Sequence, residues 1–242
     1  MAVMRLDKAI AASGLASRRE VRGLVAAGRV AVGGVRAERF DAHVEAASVT
    51  VDGEPLDHPD GLLVLAHKPI GLVCSHGDRD GPRLYDVLPA PWLRRTPVPT
   101  TVGRLDKDSS GLVIVTDDMA LVHRLTSPRH DIEKRYRVTL DRAPRGDVDR
   151  LAEVFAAGSL VLDGSPCRSA TLTLLPEEDP HGRVLEVVLT EGRHRQVRRM
   201  LHALGYEVAA LVRTHHGPYA LGDLAPGQWI DAPATDPLIR GG

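Results

Sequence analysis

With 242 residues, 43% of them hydrophobic and 26% charged, the chain has the balance of a folded protein, which excludes disorder and allows two domains with separate cores. No stretch approaches the ~20 consecutive apolar residues of a membrane span, and the N-terminus lacks the apolar core of a secretory signal, so a cytoplasmic protein with no membrane partner is expected. The net charge of −1 conceals segregation: residues 1–40 hold eight Lys/Arg against three Asp/Glu, whereas residues 41–60 hold six acids and no base.

In chain order, Leu6, Ala9 and Ile10 fall at helical spacing until Ser13-Gly14 interrupts them, which predicts a short first helix. Ser17 stands three residues before Glu20, a capping-box spacing that starts a second helix. Val21, Leu24 and Val25 form its buried stripe and Gly28 suits its C-terminal cap. Arg18, Arg19 and Arg22 are then displayed near the helix start, facing solvent or phosphate. Arg29-Val30-Ala31-Val32 predicts a strand into a Gly33-Gly34 turn, and Ser48-Val49-Thr50-Val51 another before Asp52-Gly53. Together with Arg5-Leu6-Asp7-Lys8, these segments resemble the alpha-L RNA-binding domain first recognised in ribosomal small-subunit protein four. Gly34 departs from the Asn usual there, which touches only turn stability. The resemblance implies that Arg18, Arg19 and Arg22 grip the backbone of a structured RNA.

Pro55, His58, Pro59, Asp60 and Gly61 make a turn-rich, acidic joint, so domains are expected at residues 1–60 and 61–242. After the apolar run Leu62-Leu63-Val64-Leu65-Ala66, strand-like runs recur at residues 112–115, 136–140, 170–174 and 184–189, with helical patterns at about 120–125, 148–157 and 195–204. Strands outnumber helices, which predicts an α+β domain on a largely antiparallel sheet. Cys74 and Cys167 have no ligand-like spacing, so buried thiols are expected rather than a disulfide or a metal site. Residues 124–145 carry seven Lys/Arg against three acids, and a third basic group comprises Arg193, Arg195, Arg198, Arg199 and Arg213. Three patches in a neutral chain suit a polyanion touched at chosen places, although basic clusters are often only solvated faces.

Gly103-Arg104-Leu105-Asp106-Lys107-Asp108-Ser109-Ser110-Gly111 packs charges and turn formers directly before the apolar residues 112–115. Cations at Arg104 and Lys107 favour the ionised form of Asp106, a nucleophile or base rather than a proton donor. Taken alone, Asp106 and Asp108 read better as turn formers.

Context reverses that balance. His67-Lys68-Pro69-Ile70-Gly71-Leu72-Val73, the Gly103 segment, Glu133-Lys134-Arg135-Tyr136 and Glu191-Gly192-Arg193-His194-Arg195-Gln196-Val197-Arg198-Arg199-Met200 occur in this order. The set resembles a pseudouridine synthase of the RsuA type, and with the N-terminal module the likeness spans nearly the whole chain. It implies a catalytic domain on a largely antiparallel mixed sheet that detaches uracil from ribose within RNA and rejoins it through a ring carbon, with no metal and no organic cofactor. By motif, Asp106 is the essential carboxylate, Tyr136 stacks on the target base and assists proton transfer, and Arg198 pairs with Asp106. Arg104 enters the RNA stack when the nucleotide leaves it, Leu105 and Val197 wall the base, and Lys68 borders the RNA cleft. An Asp106/Asp108 acid–base pair is disfavoured, since the motif singles out the first aspartate.

Thr116-Asp117-Asp118 and the His123–His130 segment most resemble members acting on small-subunit 16S ribosomal RNA, with large-subunit RNA as the runner-up. A monomer working on a partly assembled small subunit is expected. An RNA-binding assembly factor, with modification secondary, is the alternative of a different class.

Overall fold

The computed structural model describes residues 3–77, 79–144 and 146–233; Arg145, counted in the second basic stretch, lies outside them. The N-terminal part runs β1 (Val3–Arg5), α1 (Leu6–Ala12), α2 (Arg18–Ala26), β2 (Val30–Val32), β3 (Val35–Arg36), β4 (His43–Glu45), β5 (Val49–Val51) and β6 (Glu54–Pro55). The capping box at α2 is present in both directions: the Ser17 amide donates to Glu20 Oε2 at 2.7 Å, and the Glu20 amide donates to Ser17 Oγ at 3.4 Å. Gly33 and Gly34 both take positive φ, 57° and 79°, as a two-residue hairpin between β2 and β3 demands. β3, β2, β5 and β6 form one antiparallel sheet in that order. Leu6, Ile10, Val21, Val30, Val49 and Leu56 close over it as a hydrophobic cluster of their own.

The larger part contains β7 (Leu63–Lys68), β8 (Thr100–Thr101), β9 (Ser110–Thr116), α3 (Met119–Thr126), β10 (Lys134–Leu140), α4 (Val148–Ala157), β11 (Val161–Leu162) and β12 (Ser165–Pro166). It continues through β13 (Thr171–Leu174), β14 (Val184–Leu189), α5 (Gln196–Ala203), β15 (Val208–His216), β16 (Tyr219–Ala220) and β17 (Trp229–Asp231). Its main sheet is ordered β13-β14-β10-β15-β9-β7-β17, with β8 added beside β9 and β16 beside β15. Every pairing is antiparallel except β15 with β9. The fold is therefore α+β on a mixed, mostly antiparallel sheet.

Residues 112–115 of β9 are apolar at every position because both faces of the strand are covered there. Val113 and Val115 join the cluster that includes Phe155, Met200 and Leu201, while Leu112 and Ile114 pack with Leu121 and Leu125 of α3. The sequence pattern does not predict β15. Its run of Val208 to Leu211 is apolar, but Arg213, His215 and His216 break the alternation that marks a strand.

The turn-rich joint is tightly held. Arg95 is buried and donates to Asp117 Oδ2 at 2.8 Å, to the Asp57 carbonyl at 2.9 Å and to the His58 carbonyl at 3.0 Å. Trp92 Nε1 donates to Asp57 Oδ2 at 2.5 Å. Gly14 lies so close that a Cβ there would stand 2.3 Å from the Pro91 carbonyl oxygen.

Candidate active site

The loop from Gly103 to Ser109 leaves the two-strand edge at β8 and feeds directly into β9, and it forms one lip of a cleft of about 600 Å³. β10, β15 and the segment from Thr190 to Val197 supply the other walls. Close approach of β9 to β15 fixes the junction. A Cβ on Gly111 would lie 2.3 Å from the Arg213 carbonyl oxygen and 2.5 Å from its nitrogen, and φ there is +111°. Only glycine allows the parallel pairing to begin where the loop ends.

Asp106 is half-buried and lines this cleft, as do Arg104, Leu105, Tyr136 and Val197. Among the described residues no side chain or amide donates to the Asp106 carboxylate, and no cation lies within ion-pair distance. Lys107 turns away and donates to the Asp80 carbonyl at 3.0 Å. Tyr136 is 8% exposed and, with the buried Leu105 and Val197, makes an apolar wall beside Asp106. Arg104 stands exposed at the mouth.

Two expectations are corrected. Arg198 does not pair with Asp106: its Nη2 donates to the Asp108 carbonyl at 2.8 Å, its Nη1 to the Val208 carbonyl at 2.8 Å, and its Nε lies 3.5 Å from Asp108 Oδ2. Arg195 completes the clamp with contacts of 3.1 and 2.6 Å to the two Asp108 oxygens. Burial pushes the Asp108 carboxyl up, but the Arg195 hydrogen bonds and the Arg198 and Arg195 charges together leave it below the usual carboxylate range. The second aspartate of the loop thus anchors it to α5, and the first makes no side-chain hydrogen bond or ion pair among the described residues.

Lys68 does not border the cleft; it is 0% exposed. Its Nζ donates to the Pro69 carbonyl at 3.0 Å and the Leu72 carbonyl at 2.8 Å, and burial lowers its pKa. Gly71 of that turn donates to the Lys107 carbonyl at 2.8 Å, so Lys68 shapes the scaffold under the Asp106 loop rather than meeting RNA.

Beside Tyr136 the cleft also contains Lys134, Arg213 and His216, to which sequence reasoning assigns no catalytic role. In the antiparallel pairing of β10 with β15, Tyr136 stands opposite Arg213 and Lys134 opposite His216, with a bulge between Arg135 and Tyr136. All four line the cleft. Burial, and then the Arg213 charge, bring the Lys134 ammonium down to about 8. Burial, then the Arg213 and Lys134 charges, bring His216 down to about 3. Lys134 is findable from the sequence, because two residues before Tyr136 on a strand is the same face. Arg193, by contrast, is spent on structure: it donates to the carbonyls of Leu162, Ser165 and Pro166.

Among the N-terminal arginines, Arg18 donates to Asp7 Oδ2 at 3.0 Å, and the Arg22 guanidinium lies 4.5 Å from the Phe40 ring centre. Arg19 is exposed on the same helix. Arg18 keeps a side-chain exposure of 57%, so the face remains open to phosphate.

Residues 62–203 match the family described as RNA pseudouridylate synthase, and residues 4–39 match the S4 domain. An RNA pseudouridine synthase of Bacillus subtilis is 34% identical over 93% of this chain and 93% of its own length. The ribosomal small subunit pseudouridine synthase A of Pasteurella multocida is 34% identical over 96% of this chain and 97% of its own. The ribosomal large subunit pseudouridine synthase E of Xanthomonas campestris is 41% identical over 73% of this chain and 99% of its own. A crystal structure of a pseudouridylate synthase superposes with a TM-score of 0.63 at 29% identity, covering 95% of this chain and 96% of the other.

Proposed function

The chain belongs to the RNA pseudouridylate synthase family and isomerises uridine in RNA, and from that premise we propose that its target is a uridine of small-subunit 16S ribosomal RNA. The setting we infer is a partly assembled subunit in the cytoplasm, met by the enzyme as a monomer of two domains divided near residue 60. In the reaction the bond from uracil N1 to ribose C1′ breaks, the base turns, and C5 joins C1′. C5 then loses its proton and N1 gains one, so no redox partner is needed.

Asp106 is the carboxylate that attacks the sugar or the base. The observation that carries this assignment is its position: a carboxylate with no hydrogen bond or ion pair among the described residues, on the lip of a cleft with room for an extruded nucleotide and walled by Tyr136, Leu105 and Val197. Catalysis by a flipped nucleotide needs such a pocket. Tyr136 stacks on the uracil and its hydroxyl serves proton transfer, while Arg104 at the mouth fills the place the nucleotide leaves. Arg198 works through Asp108, holding the loop that carries Asp106. Arg18, Arg19 and Arg22 hold RNA backbone at a distance from the chemistry.

The small-subunit reading rests on the likeness of Thr116-Asp117-Asp118 and the His123–His130 segment to members acting on 16S ribosomal RNA. Thr116, Asp117 and Asp118 are occupied with scaffolding: Thr116 Oγ1 donates to the Leu62 carbonyl, Asp117 accepts from Arg95, and Asp118 caps α3. Discrimination then falls to Thr126 and Pro128, which line the cleft, and to the exposed Arg129 and His130 beside them. A large-subunit target is the second reading, favoured by the 41% identity to the Xanthomonas campestris protein.

Chemical mapping of pseudouridine in ribosomal RNA from cells with and without the gene separates these readings. Loss of one 16S position is expected. Loss of a 23S position instead establishes the second reading, and an unchanged map with impaired subunit assembly overturns both in favour of a binding role.

A further inference from the structure

The cleft that receives the base has a cationic floor. Lys134 and Arg213 both line it, and among the described residues neither has a carboxylate within ion-pair distance. Lys134 Nζ donates only to the Ile132 carbonyl, at 2.9 Å, which leaves two of its protons without a described partner. Arg213 is 2% exposed; its Nε donates to the Leu112 carbonyl at 2.8 Å and its Nη2 has no partner among the described residues. His216, 0% exposed and opposite Lys134 in the sheet, adds no compensating negative charge.

Burying cations without a counterion is costly, and a native fold keeps such groups where a ligand supplies the missing charge. The remaining walls are apolar, from Leu105, Val197, Leu211 and Tyr136. A phosphodiester stays with the RNA backbone at the surface, whereas the group that travels deepest is the extruded base. When the N1–C1′ bond breaks, its electron pair stays with the uracil and spreads onto O2 and O4. We propose that Lys134, backed by the charge of Arg213, stabilises the negative charge that develops on the uracil ring as it leaves the ribose. This inference rests on the assignment of the cleft around Asp106 as the catalytic pocket. Burial that brings the Lys134 ammonium down to about 8 fits a cation held in place for an anion rather than solvated.

The electron demand on the floor changes with the base. Fluorine at C5 withdraws electrons and lets the ring carry the charge unaided, so 5-fluorouridine needs Lys134 less. The test compares wild-type protein with Lys134→Met, which keeps an unbranched side chain of similar length and removes the ammonium. Single-turnover rates are measured on ribosomal RNA transcripts made with uridine or with 5-fluorouridine, scoring disappearance of the parent nucleoside in digests, with RNA affinity measured in parallel.

The expected result is a rate about 100-fold lower on uridine, RNA affinity unchanged within about threefold, and a loss on 5-fluorouridine smaller by about tenfold. Arg213→Lys, which keeps the charge, retains more activity than Arg213→Met at equal folded fraction. Equal slowing on both transcripts overturns the proposal, and so does weaker binding with an unchanged single-turnover rate, which marks a phosphate contact. If Asp106→Asn is inactive while Lys134→Met is normal, the inference fails and the cleft assignment stands. If Asp106→Asn remains active, the assignment itself fails.

Discussion

Two aspartates two residues apart illustrate how far single residues can be read. Sequence context singles out Asp106, but which carboxylate the arginines hold depends on how α5 meets the loop, and they hold Asp108. Asp108→Asn therefore loosens the loop without touching substrate. We expect a fall of about tenfold to 100-fold in turnover with little change in RNA affinity, read as a split between kcat and KM. His216 supplies a pH signature. Its folded pKa of about 3 lies below the ordinary value of 6.5, so the unfolded chain binds more protons between those limits. Stability is then complete above about pH 6.5 and is lost as pH falls toward 3. From pH 7 to pH 5 this residue accounts for at most about 2 kcal/mol, and His216→Gln makes the decline of Tm over that interval shallower. An unchanged pH slope in the variant contradicts the buried neutral imidazole.

Elements whose local chemistry agrees with their packing are legible in the sequence. The Ser17 to Glu20 box starts α2, the Gly33-Gly34 hairpin joins β2 to β3, and residues 184–189 appear as β14 with the expected limits. β15 is not legible, although it is the strand at the centre of the site. It places Arg213 and His216 inside the cleft, so a hydrophobicity pattern fails where function puts charge in the interior. Lys68 misleads for the same reason: a lysine is expected outside, and here it satisfies turn carbonyls beneath the site. The β9–β15 junction makes a prediction at this scale. Gly111→Ala combines a contact of 2.3 Å with φ of +111°, and should cost about 3 kcal/mol or more, lowering Tm by roughly 10 °C. A variant with wild-type Tm means that the strands are not so closely apposed.

At the scale of the whole molecule, one cluster of side chains closes the N-terminal module and another pair sandwiches the large sheet, with Arg95 fastening the joint between them. Arg95→Ala leaves the mostly buried Asp117 carboxylate without its counterion, held only by the Leu62 amide at 2.8 Å, a loss of about 3 kcal/mol, and should expose the joint near Asp57 to proteolysis that the parent protein resists. The division of labour predicts that removing residues 1–60 weakens RNA binding and flattens its salt dependence, by roughly 0.7 to 0.9 in slope for each phosphate no longer neutralised. An unchanged slope takes the basic face of α2 out of RNA binding. If the N-terminal module holds RNA and Asp106 carries the chemistry, as proposed, a single substitution separates binding from turnover. The direct test is pseudouridine formation by Asp106→Asn on ribosomal RNA, with affinity measured on the same preparation. A catalytic Asp106 predicts no detectable product and RNA affinity within a few fold of the parent protein; product formation by the variant contradicts it.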